Sequence, residues 1–112
     1  MKTAFVTGSS RGIGRAIAIR LAQDGYKVLV HGAGYIAKAT ETKQIIEQNG
    51  GVAEVIISDL TDLNSTRELC EKIKEVDVLI LNASLQYRTP WQEITPDACY
   101  EQLNCNFVSS MM

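Results

Sequence analysis

Two hydrophobic periods alternate along these 112 residues, and the alternation limits the possible folds more tightly than any single motif. Apolar runs at TAFV (3–6), KVLVH (27–31), VAEVIIS (52–58) and VDVLILN (76–82) have the length and β-branched content of strands. Between the first two, Ile13, Ile17 and Leu21 recur every four residues with Ala18 and Ala22 beside them, which predicts a helix closed by Gly25. A second helix, over 35–49, is expected to bury Ile36, Ile45 and Ile46 and to stop at Gly50-Gly51. A third, capped by Thr61 or Asp62, carries Leu63, Leu69, Cys70, Ile73 and Val76. Strands that alternate with helices pair in parallel, because the crossover helix returns the chain to begin its next strand alongside. The near-continuous apolar strand at 76–82 predicts a sheet covered on both faces. Residues 85–96, with Pro90 and Trp91, read as a loop, and 97–112 as the start of a further crossover helix.

Composition narrows the functional classes. With 46% hydrophobic residues, 21% charged and two prolines, the chain is expected to fold as a single domain. Its net charge of −2 provides no basic field to gather nucleic acid or anionic lipid, so any anion must be caught locally. The opening MKTAFV breaks at Thr7-Gly8 before a leader's apolar segment can form, and no run approaches the ~18 apolar residues of a membrane span. Cys70, Cys99 and Cys105 make neither a CxxC pair nor an even set, so they are expected to be free thiols in a cytoplasmic protein. Cys99 and Cys105 are read as partly buried small hydrophobes rather than metal ligands.

The segment TGSSRGIG, Thr7 to Gly14, joins the first strand to the first helix. That is where an α/β sheet binds a dinucleotide. Glycines let the backbone turn and approach a pyrophosphate, whose charge is met by unpaired N–H groups at the helix start. Ser9 and Ser10 are expected to add hydroxyl donors. A competing GxGxxA match at Gly32-Ala33-Gly34-Tyr35-Ile36-Ala37 also sits between a strand and a helix, with Asp59 about one βα unit further on.

The order Thr7, Gly8, Gly12, Gly14, in the pattern Thr-Gly-x3-Gly-x-Gly, resembles the coenzyme loop of the short-chain dehydrogenases/reductases. Three later positions agree. Asp59-Leu60 resembles the pair that meets the adenine ring, Asn82-Ala83-Ser84 resembles the family's Asn-Ala-Gly, and Asn106 in CNF falls at the catalytic-helix asparagine, with Asn104 as its competitor. The resemblance implies a Rossmann-type α/β fold, a doubly wound parallel sheet ending after its fourth strand and the start of the next helix. It makes residues 1–112 a single, incomplete dinucleotide-binding domain. The implied cofactor-binding set is Thr7, Gly8, Ser9, Ser10, Arg11, Gly12, Ile13, Gly14, His31, Asp59, Leu60, Asn82, Ala83 and Ser84, with Asn106 catalytic.

The segment Val30-His31-Gly32-Ala33 carries no acid to bind ribose hydroxyls and repel an extra phosphate. Arg11 is placed, by resemblance, to pair with a 2′-phosphate, whose oxygens suit a guanidinium fork. NADP is therefore expected over NAD, with His31 as an additional contact. In this family a tyrosine protonates the carbonyl oxygen while a lysine four residues later tunes it. No Tyr-x3-Lys occurs here; Tyr35 and Lys38 are an i,i+3 near miss. The resemblance thus spans this whole sequence but only the coenzyme half of a complete member, whose implied partners are a carbonyl or alcohol substrate and further copies of itself. In the loop, Tyr87 or Trp91 is expected either to border the substrate cleft or to pack on the sheet edge.

Overall fold

A computed structural model describes residues 1–73, 75–85 and 89–112. Four strands, β1 (Thr3–Val6), β2 (Lys27–Gly32), β3 (Val52–Ile57) and β4 (Val78–Ile80), pair in parallel in the order β3-β2-β1-β4. Helices α1 (Gly12–Gln23), α2 (Ile36–Gln48) and α3 (Leu63–Lys72) connect them, as the alternating periods predict.

Register explains the two cores. Val6 lies beside Val30, and Phe5 beside Leu29 and Leu79, so each strand sends alternate side chains to the same two faces. On one face Val6, Val28 and Val30 meet Ala18 of α1 and Ala39 and Ile46 of α2. On the other, Phe5 and Leu29 meet Leu60, Leu69 of α3 and Cys105. The crossover from β3 to β4 passes from one edge of the sheet to the other, which leaves a crevice at the carboxyl ends of β1 and β4.

Several expectations need correction. Ile36 is 64% exposed because the first turn of α2 stands clear of the sheet, and Ile45 is half-buried, whereas Ile46 is buried as expected, with Ala39 and Thr42. Ile13 is 74% exposed for the same reason at the start of α1. β4 is shorter than 76–82: the Asp77 N–H donates to Thr3 O, and the Asn82 N–H donates to the Thr7 hydroxyl. As an edge strand it is not covered on both sides, and Leu79 remains 49% exposed. Val76 lies beyond the end of α3. Cys105 is buried as expected, but Cys99 is exposed.

Asp62, rather than Thr61, caps α3 by accepting from the Asn64 N–H at 2.9 Å. After a 3-10 turn at Trp91–Glu93, Thr95 caps α4 (Pro96–Leu103), which runs through a π-helical segment (Asn104–Val108) into α5 (Ser109–Met111). Ser109 ties this helical stretch to the connection after β3 and to α3, donating to Leu60 O at 2.6 Å and lying 3.0 Å from the Thr66 hydroxyl. Tyr87 lies outside the described residues, and Trp91 is 78% exposed.

Candidate functional site

The glycine loop leaves β1 through a set of backbone and side-chain ties. Gly8 has φ +66° and Gly12 φ +60°, conformations that disfavour a Cβ. Gly14 is required for a different reason: a Cβ there would stand 2.2 Å from Gly8 O and 2.6 Å from the Asn82 amide. The loop can therefore fold back onto the first turn of α1. That turn has no side-chain cap and no acidic residue, so its amides and the positive end of its dipole face the crevice.

Several side chains that shape the loop point away from the crevice, and others both shape the loop and line the crevice. Ser9 is fully buried; its hydroxyl donates to Val6 O and accepts the His31 N–H, both at 2.8 Å. It is thus no donor to a phosphate, contrary to expectation, whereas Ser10 does line the crevice. Thr7 is also turned inward, its oxygen accepting the N–H groups of Asn82 and Ala83 at 2.9 Å each. The Asn82 amide reciprocates, donating to Thr7 O and Gly8 O at 3.2 Å each. Thr7 and Asn82 therefore act as clasps between the ends of β1 and β4.

His31 borders the crevice, as expected, but its ring is engaged within the protein. Only 1% exposed, it accepts the Gly8 N–H at Nδ1 (2.9 Å) and donates from Nε2 to Ser58 O (2.9 Å). Because Nδ1 is an acceptor, the ring is the neutral Nε2–H tautomer. Burial pushes its pKa below the ordinary 6.5, against a smaller opposite effect of the Ser58 carbonyl. A neutral ring with both nitrogens engaged offers no donor to a phosphate. Its role is to hold the loop against β3.

Two adjoining cavities of about 470 and 590 Å³ open around this framework. Gly8, Gly12, Ile13 and His31 face the first, together with Leu60, Asn82, Ala83, Ser84 and Cys105. Gly34, Tyr35, Lys38 and Glu101 border the second, while Ser10, Arg11, Ala33, Asp59 and Thr61 border both. The competing glycine segment thus forms a wall of the same crevice. Asp59 is itself engaged, accepting from the Thr61 N–H at 2.9 Å and hydroxyl at 2.6 Å. Burial first, and the Asp59 charge second, raise the Cys105 thiol above 9.0, so it stays protonated at neutral pH. A larger cavity of about 750 Å³ runs along β3 from Glu54 to Ile57, beside Thr3, Lys27 and the end of α3, and shares no lining residue with this crevice.

Asn106 lies in the π-helical segment, where its Nδ2 donates to Leu85 O at 2.7 Å and its Oδ1 accepts the Leu85 N–H at 2.6 Å. Its amide thus clamps the backbone leaving β4. Asn104 points elsewhere, donating to Thr61 O at 3.3 Å. Sequence reasoning missed Arg15 and Thr42. Arg15 donates to Ser10 O (2.6 Å), Lys38 O (3.1 Å) and Thr42 Oγ1 (2.9 Å), and Thr42 passes a hydrogen bond on to Ser9 O (3.0 Å). The available signal was the placement of Arg15 one helical turn after Arg11.

The short chain dehydrogenase family model matches residues 2–112, the whole of this framework. The chain belongs to the short chain dehydrogenase family. Among its relatives is the uncharacterized oxidoreductase YgfF of Escherichia coli, 40% identical over 91 residues that make up 78% of this chain and 37% of YgfF. Another is the 3-oxoacyl-[acyl-carrier-protein] reductase FabG of Staphylococcus aureus, 38% identical over 88 residues, 75% of this chain and 36% of FabG. This short chain dehydrogenase sequence therefore spans little more than a third of the length of those relatives. Among solved structures, a 3-oxoacyl (acyl-carrier-protein) reductase of Agrobacterium tumefaciens with NADP bound matches at TM-score 0.89 and 37% identity, covering 98% of this chain and 43% of that one. The landomycin C-6 ketoreductase LanV with bound NADP and rabelomycin matches at TM-score 0.85 and 33% identity, covering 98% and 49%.

Proposed function

We propose that this chain is the coenzyme-binding part of an NADP(H)-dependent oxidoreductase that interconverts a carbonyl and an alcohol. The observation that carries the reading is the uncapped, acid-free start of α1, reached through glycines whose missing side chains leave backbone facing the crevice. A pyrophosphate would lie against the amides of Gly12, Ile13 and Gly14, with Ser10 beside it. The adenine would lie toward Asp59 and Leu60, and Arg11 would meet the 2′-phosphate. Support for NADP over NAD comes from the crevice wall at Ala33 and Gly34, which presents no carboxylate, and from NADP in several structural relatives.

The nicotinamide supplies the hydride when bound. This chain's residues orient it: Thr7 and Asn82 clasp the strand ends, Ala83 and Ser84 border its path, and Ile13 offers an apolar surface. Asn106, the one active-site position present by resemblance, would act from its clamp on Leu85. None of the 112 residues forms a Tyr-x3-Lys pair, so the carbonyl acid lies outside this set. A second reading is a non-catalytic NADP-binding module.

Titrating the chain with NADPH and NADH, followed by nucleotide fluorescence, tests the proposal. NADPH should bind more tightly, and Arg11→Ala should weaken NADPH about tenfold while leaving NADH nearly unchanged. Equal losses would reject the coenzyme choice. Turnover of a carbonyl panel by this chain would reject the non-catalytic module.

A further inference from the structure

A 2′-phosphate carries roughly −1.5 to −2 charges at neutral pH, and Arg11 answers only one of them. Residues 32–35, Gly-Ala-Gly-Tyr, add no cation after β2. One turn into α2, however, Lys38 borders the same 590 Å³ cavity as Arg11 and Ser10. Resting on the NADP reading above, we infer that Lys38 is the second cation of the 2′-phosphate site and a determinant of the preference for NADPH over NADH.

The charges around Lys38 support this. Its ammonium lies 3.6 Å from Glu41 Oε2, but Arg15 Nη2 lies closer to that same oxygen, at 3.2 Å. Glu41 is thus already answered by Arg15, and among the described residues the cations that border the cavity are Arg11 and Lys38. Asp59 and Glu101 border the cavity too, and the Asp59 carboxylate is engaged by Thr61. The Lys38 backbone is held by Arg15 through its carbonyl oxygen, so only a flexible, 61%-exposed side chain must turn from Glu41 to the phosphate. The Tyr35–Lys38 pair, an i,i+3 near miss to Tyr-x3-Lys, lies at the adenosine end of the crevice.

The test measures NADPH and NADH dissociation constants for the 112-residue chain and its Lys38→Ala, Lys38→Arg and Arg11→Ala variants, with adenosine 2′,5′-bisphosphate and 5′-AMP as competitors. Lys38→Ala should weaken NADPH and the bisphosphate about fivefold and leave NADH and 5′-AMP within about twofold, and Lys38→Arg should restore the difference. Loss of NADPH and NADH affinity together, or no loss at all, overturns the role of Lys38. If Arg11→Ala still discriminates while Lys38→Ala does not, the NADP reading stands and this inference alone fails. A parent chain that binds neither coenzyme overturns both.

Discussion

Gly14 shows how one missing methyl group shapes the loop. Its Cβ would meet backbone oxygen at 2.2 Å, so Gly14→Ala should shift the loop, lower stability by about 2 kcal/mol or more, and abolish dinucleotide binding; thermal melts and NADPH titration check both. Thr7 is a second such position. Thr7→Val keeps the shape but leaves the N–H groups of Asn82 and Ala83 without their acceptor, at a cost of about 2–4 kcal/mol in urea unfolding. His31 ties stability to pH. Its folded pKa is depressed, so below about 6.5 the unfolded chain takes up a proton that the folded ring refuses. Stability should be full above pH 6.5 and fall as pH drops from there to the lower folded value, because a protonated Nδ1 would face the Gly8 N–H. Urea midpoints measured from pH 8 to 5 should show this slope, and His31→Gln should flatten it.

Among the elements, α1 and α2 are joined through Arg15, which binds the loop at Ser10 O and α2 at Thr42 and Glu41. Arg15→Met should lower stability by about 1–3 kcal/mol and weaken NADPH and NADH alike, because it loosens the loop rather than removing a phosphate contact. Parallel titrations would distinguish it from Arg11→Ala. The elements themselves were largely legible in the sequence, since strand and helix periods differ and glycines mark the junctions. The exact buried faces were less so. Ile36 and Ile13 follow helical spacing yet stand exposed, because spacing alone does not say where a helix's first turn clears the sheet.

For the molecule as a whole, the strand order leaves β4 at an edge, beside Leu79 and Leu81, which are 49% and 53% exposed. Leu103, Phe107 and Met111 extend the exposed apolar surface along the carboxyl-terminal helices. An uncovered apolar edge of this kind recruits a partner. The 112-residue chain is therefore expected to self-associate with increasing concentration in sedimentation velocity, and Leu79→Lys with Leu81→Glu should reduce the association. A stable monomer at high concentration would contradict this.

The sequence by itself determined the alternating βα order, the place of the glycine loop and the family, because periodicity and glycine spacing are local properties written in consecutive residues. Only the tertiary structure decided which side chains face the crevice. Thr7 and Ser9 read as ligand contacts in the sequence but bind the protein's own backbone, and His31, though at the crevice, spends both ring nitrogens on backbone groups, while Lys38 reaches the cavity wall. The reason is that a polar side chain's partner is set by what the sheet and helices bring within about 3 Å of it, a distance that no linear spacing encodes.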